Sequence, residues 1–167
     1  MFEWLFGGKT QEKNTYPVLT SEHLQPVDQP ITTVMAKQLF KDWMLKIGYL
    51  DKQEVGAHVG YLAEEIRTRE DSLKEDLQIA KQTMTEQTQH FKDEIKRIKK
   101  ELASCKDDEK KAELEDALAD AEDELEFQTT DGKNDIAEAQ QHLDAFKADK
   151  REFLINYVNA QVHGGHS

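Results

Sequence analysis

After Pro30 the chain never meets proline again, and that absence constrains its fold more than any other feature. Pro17, Pro26 and Pro30 all stand in the first fifth of the 167 residues. Everything beyond them is free of the residue that most strongly breaks a helix. Apolar residues then recur at three- and four-residue intervals, the period of one helix face. Charged residues make up 34% of the chain against 37% hydrophobic, a balance that belongs to long helices and coiled coils and leaves little for a thick globular core. The expected fold class is all-α: an elongated antiparallel helical bundle or coiled coil with an extended N-terminal segment.

Residues 7–30 carry Gly7, Gly8 and all three prolines among polar side chains, which reads as an extended linker. Residues 1–30 are thus expected to be a hydrophobic tip plus linker, 31–163 a helical bundle and 164–167 a flexible tail. The first helix is expected over about 31–48, with Ile31, Met35, Leu39, Trp43, Ile47 and Leu50 on one face. Val34, Phe40, Met44 and Leu45 spread its apolar surface further, so burial on more than one side is expected. Gly48 stops it, and Asp51 with Glu54 forms a near capping box for the next.

That next helix is expected over 52–104, on the order of 80 Å long. Val55, Val59, Leu62, Ile66 and Leu73 keep a heptad-like frame; after a four-residue shift Leu77, Ala80, Met84, Phe91, Ile95, Ile98 and Leu102 continue it, as across a stutter. Charge marks its end. Lys92, Lys96, Arg97, Lys99 and Lys100 are followed by Asp107, Asp108, Glu109, Glu113, Glu115 and Asp116, the order expected where one helix ends and another begins. A hairpin turning near 104–108 would set the basic and acidic stretches alongside each other. One helix from 52 to 128 is the alternative, since neither Gly nor Pro forces the turn. Further helices are expected at about 107–128 and 134–162, separated by Thr129, Thr130, Asp131, Gly132 and Asn134. Over the last, Ile136, Leu143, Lys150 and Tyr157 interleave with Ala139, Phe146, Phe153 and Ala160.

No catalytic signature emerges, so the chain is expected not to be an enzyme and to need no cofactor. Glu138 with His142 and His90 with Glu94 lie four apart, but a carboxylate-bridged di-iron centre needs Glu-x-x-His on two helices, and none occurs. His163 and His166 would make a poor two-ligand site, so no metal is expected. Gly56 and Gly60 lack the lysine and hydroxyl of a phosphate loop; a close helix approach is the favoured reading. One cysteine, Cys105, excludes an intramolecular disulfide and fits a reducing compartment. The opening is too short and too acidic for a secretory signal, no stretch approaches the length of a membrane span, and the expected location is cytoplasmic.

Two surfaces attract attention. Phe2, Trp4, Leu5 and Phe6 pack four large apolar residues into the first six positions, a tip suited to docking in a groove on a protein partner. The net charge of −12 lies wholly in residues 51–167, and residues 107–126 hold eleven acids against two lysines. That excess disfavours direct nucleic-acid binding. Asp116, Asp120, Asp123 and Glu124 form a candidate acidic partner face. The leading expectation is an adaptor or structural subunit that docks through its tip and spaces or oligomerises through its helices, with itself among the candidate partners. The alternatives are an acidic DNA mimic that occupies a nucleic-acid-binding protein, and a peripheral coiled-coil protein touching a membrane through the tip alone.

Overall fold

Local signals start and stop the first helices. Thr32 Oγ1 accepts the Met35 amide at 3.2 Å, which caps α1 (Thr33–Lys46). Gly48, at φ 74°, turns the chain out of that helix in a left-handed conformation that glycine adopts without strain. Asp51 then opens α2 (Lys52–Ser104). Its carboxylate accepts the amides of Gln53 at 2.9 Å and Glu54 at 2.8 Å, while Glu54 reaches back to the Asp51 amide at 3.1 Å. The computed structural model describes residues 16–164, and continues with α3 (Asp108–Ala148) and α4 (Arg151–His163). The fold is all-α, a helical hairpin and bundle without a strand among the described residues.

The described chain divides into two compact units, one of residues 16–70 with 144–164 and one of residues 71–143. In the first, a single apolar cluster joins Phe40 and Met44 of α1, Val55, Leu62 and Ile66 of α2, and Leu154, Val158 and Val162 of α4. Leu19, Leu24 and Ile31 complete it, each at most 1% exposed. Burying each such side chain contributes about 1.5–3 kcal/mol, which is why residues 16–30, within the expected extended linker, are a packed strap. Proline and glycine forbid a regular helix there, but they leave an extended backbone free to be buried once its polar groups find partners.

Side chains of α4 supply those partners. Asn159 pairs reciprocally with Leu19, accepting its N–H at 2.8 Å and donating to its carbonyl at 2.9 Å. The Arg151 guanidinium donates to the carbonyls of Leu24 at 3.0 Å, Pro26 at 2.7 Å and Gln29 at 2.8 Å. His163 Nε2 donates to the Pro17 carbonyl at 3.3 Å. The expected single helix over 134–162 is interrupted at Asp149 and Lys150, because the chain there turns aside to bond Ile31. The Lys150 amide donates to the Ile31 carbonyl at 2.7 Å, and Asp149 Oδ1 accepts the Ile31 amide at 2.9 Å and the Arg151 amide at 3.0 Å. The interruption rotates the buried face of α4 onto Leu154, Val158 and Val162; Ala160, expected in the seam, is exposed.

The second unit is a two-helix hairpin of residues 71–104 and 108–143, reversing over Cys105, Lys106 and Asp107. Its buried and half-buried positions recur at intervals of eleven: Leu73, Met84 and Ile95 on α2, and Ala121, Gly132 and Leu143 on α3. That repeat corresponds to 3.67 residues per turn, close enough to 3.6 that the stripe drifts little. The expected break at residues 129–134 does not form, since α3 runs through it. Gly132 is a packing glycine: a Cβ there would lie 2.6 Å from Met84 Cγ. Gly56 and Gly60, expected to admit a close neighbour, have nothing within 4 Å of a built Cβ among the described residues.

Two outcomes follow. Gly132→Ala overpacks the seam and lowers the denaturation midpoint by an amount corresponding to about 1–3 kcal/mol, whereas Gly56→Ala and Gly60→Ala each raise it by about 0.5–1 kcal/mol. Arg151→Ala with Asn159→Ala leaves the helical circular dichroism in place but speeds cleavage at Leu19 and Leu24 by a protease that cuts at apolar residues.

Candidate interaction surfaces

The tip residues Phe2, Trp4, Leu5 and Phe6 lie outside the described residues. What the structure positions is the point from which they depart. The Tyr16 ring meets Tyr49 edge to face with centroids 5.4 Å apart, and the Tyr49 hydroxyl donates to the Gln161 carbonyl at 3.0 Å. The chain is therefore fixed as far as Tyr16, by aromatic packing there and by the α4 side chains just beyond it.

Asp116, Asp120, Asp123 and Glu124 are all exposed on α3. Their spacing puts them on one face, away from the half-buried Leu114, Leu118 and Leu125. Among the described residues none of these four carboxylates forms an ion pair. The basic stretch before the turn forms no ion pair with them among the described residues: Arg97 pairs with Glu101 at 2.8 Å and with Glu94 at 3.8 Å, both on its own helix. Phe127 continues the row one turn beyond Asp123 and is 60% exposed. Sequence reasoning overlooked it; the signal was its position between the seam residues Leu125 and Gln128.

The histidine–acid pairs weighed and set aside as metal ligands lie close together, His90 Nε2 3.8 Å from Glu94 and His142 Nε2 4.0 Å from Glu138. A groove in the second unit gathers His142 and Glu138 with Asp135 and Asp76. Among the described residues, however, no group of three His, Cys, Asp or Glu is placed to hold a metal ion. His163 is engaged by the strap, and His166 lies outside the described residues. Cys105 stands half-exposed in the hairpin turn, its Sγ 3.4 Å from the Asp107 carbonyl.

Two groups in the first unit titrate away from their ordinary range. Burial lowers the Lys150 ammonium, with the charges of Glu70 and Asp149 opposing that shift. Its Nζ donates to the carbonyls of Phe146 at 2.7 Å and Lys147 at 2.9 Å, so it terminates α3 in the place where a helix favours a cation. Burial raises the Tyr157 phenol, helped by Glu65.

Among the described residues no helix is long and apolar enough to cross a membrane. No known protein family, curated protein or solved structure matches the chain.

Proposed function

We propose that the protein is a non-enzymatic adaptor or structural subunit in the cytoplasm, docking a protein partner through Phe2, Trp4, Leu5 and Phe6 while its helices space or oligomerise. The observation that supports this reading is the fixed strap. With the chain held at Tyr16, the ten residue steps back to Phe6 span at most about 35 Å, so the tip works from a short tether on a rigid base. A short tether raises the effective concentration of a docked partner near the helical body. Aromatic residues of this size are the side chains that dominate binding when they fill pockets.

A second reading rests on a different observation, the unpaired carboxylates of α3 with Phe127 in their row. Carboxylates that lack cations of their own suit a basic surface, so Asp116, Asp120, Asp123 and Glu124 would stand where phosphates stand and occupy a nucleic-acid-binding protein. Contact with a membrane interface through the tip is the third reading, one in which Trp and Phe are favoured but the net acidity of the chain opposes attachment to anionic lipid.

The test is capture of partners from native lysate by the full chain beside Trp4→Ala/Phe6→Ala and beside a variant carrying Asn or Gln at the four acidic positions. Tip docking predicts that the captured partner is lost with the tip substitutions, its affinity falling at least about a hundred-fold, with little dependence on salt. Undiminished capture by the tip variant rejects it. Mimicry predicts the reverse pattern: binding that weakens steeply with salt and is lost with the amide substitutions. Retention of the tip by anionic vesicles, with no protein captured, selects the membrane reading.

A further inference from the structure

The strap contains a capping box with an unusual member. Capping boxes pair Ser or Thr at the cap with Glu or Gln three residues on, whose side chain reaches back to the cap amide. Here the cap is Thr20 and the third residue is His23, at the start of the 3-10 turn Ser21–His23. The Thr20 amide donates to His23 Nδ1 at 3.0 Å, and Thr20 Oγ1 lies 3.1 Å from the same nitrogen. Nδ1 must therefore be unprotonated, with the ring hydrogen on Nε2.

The imidazole also joins the strap to α1. Its centroid lies 4.8 Å from that of the Trp43 indole, and the two share a cleft with Leu24, Gln25, Leu39, Asp42 and Lys46. Trp43 is 7% exposed, and its buried Nε1–H has no hydrogen-bond partner among the described residues.

We infer that His23 is an acid-sensitive latch on the strap: adding a proton to Nδ1 removes the acceptor of the Thr20 amide and loosens the turn. Histidine changes charge within about pH 5–8, a range in which the Glu or Gln usual at this position would keep its acceptor. The charged groups facing the latch come from three elements. Glu22 stands in the turn itself, and Asp42 of α1 lines the cleft. Lys46 of α1 lines the same cleft, and Arg151 of α4 donates to the Ser21 and Leu24 carbonyls. The Trp43 ring face attracts a cation and so holds the imidazolium near α1 even as the Thr20 bond is lost. The loosening is confined to the turn between Leu19 and Leu24, which remain buried anchors. His163 does not share the behaviour, because the nitrogen that faces the Pro17 carbonyl is a donor in both charge states.

The test is amide exchange of Thr20 in the full chain by NMR, expressed as protection so that the pH dependence of chemical exchange cancels. Protection in the wild type is expected to fall about five-fold between pH 7.5 and 5.5, the loss of one ordinary hydrogen bond. His23→Gln restores the usual capping box with an acceptor that does not titrate, and its protection is expected to change less than about two-fold. An equal fall in both proteins, or no fall in the wild type, overturns the latch. A second measurement guards against a Gln that fails to cap: the Thr20 amide shift in the wild type must titrate together with the His23 ring, and independent titration also overturns the inference.

Discussion

Two hydrogen bonds between Ile31 and the pair Asp149 and Lys150 hold the first unit in the form it has. Ile31 gives its carbonyl to the Lys150 amide and its own amide to Asp149. This exchange resembles a fragment of sheet pairing, made where neither partner belongs to a strand. It ends α3, because Lys150 spends its amide outside the helix; it begins α4, because Asp149 also caps Arg151. By fixing where α4 starts, it sets Arg151 and Asn159 opposite the strap carbonyls they bind. The buried ammonium of Lys150 completes the junction by satisfying carbonyls that the end of α3 leaves open.

The two units meet the demand for burial differently. In the first, α1, α2 and α4 each bury an apolar face in one cluster, and the strap closes it with Leu19, Leu24 and Ile31. In the second, the described residues form two helices that pack on each other, with burial restricted to one stripe per helix. Thr88 shows how narrow that stripe is. It is 7% exposed within the seam, tolerated because its hydroxyl donates to the Met84 carbonyl at 2.7 Å. Interaction surfaces on such a hairpin must therefore come from its outward faces, where Asp116, Asp120, Asp123 and Phe127 lie.

Signals carried by neighbouring residues were legible in the sequence. The stop at Gly48, the cap at Asp51 with Glu54 and the change of charge across residues 100–108 each depend on chemistry within a few positions. Features decided by distant partners were not. Nothing near Asp149 announces a break, which Ile31 imposes from 118 residues away. The Thr-Thr-Asp-Gly run looked like a turn, yet Met84 fills the space beside Gly132 and keeps it helical. The strap was read as linker because proline marks what backbone cannot be helical, not what cannot be buried. Of the candidate site, the acidic row was readable from spacing alone. Its lack of cations was not, because sequence showed five basic residues close by without showing that Arg97 turns to its own helix.

The central claim is that residues 16–31 are part of the folded body. Hydrogen exchange at the amides of Leu19, Ile31 and Lys150 addresses it most directly, since all three donate across long sequence separations. The account predicts that they exchange only with opening of the first unit, at rates matching those of core amides in α4 such as Val158. Exchange of Leu19 and Ile31 at the rate of an unstructured peptide, with Val158 still protected, would contradict it and return the strap to the status of a linker.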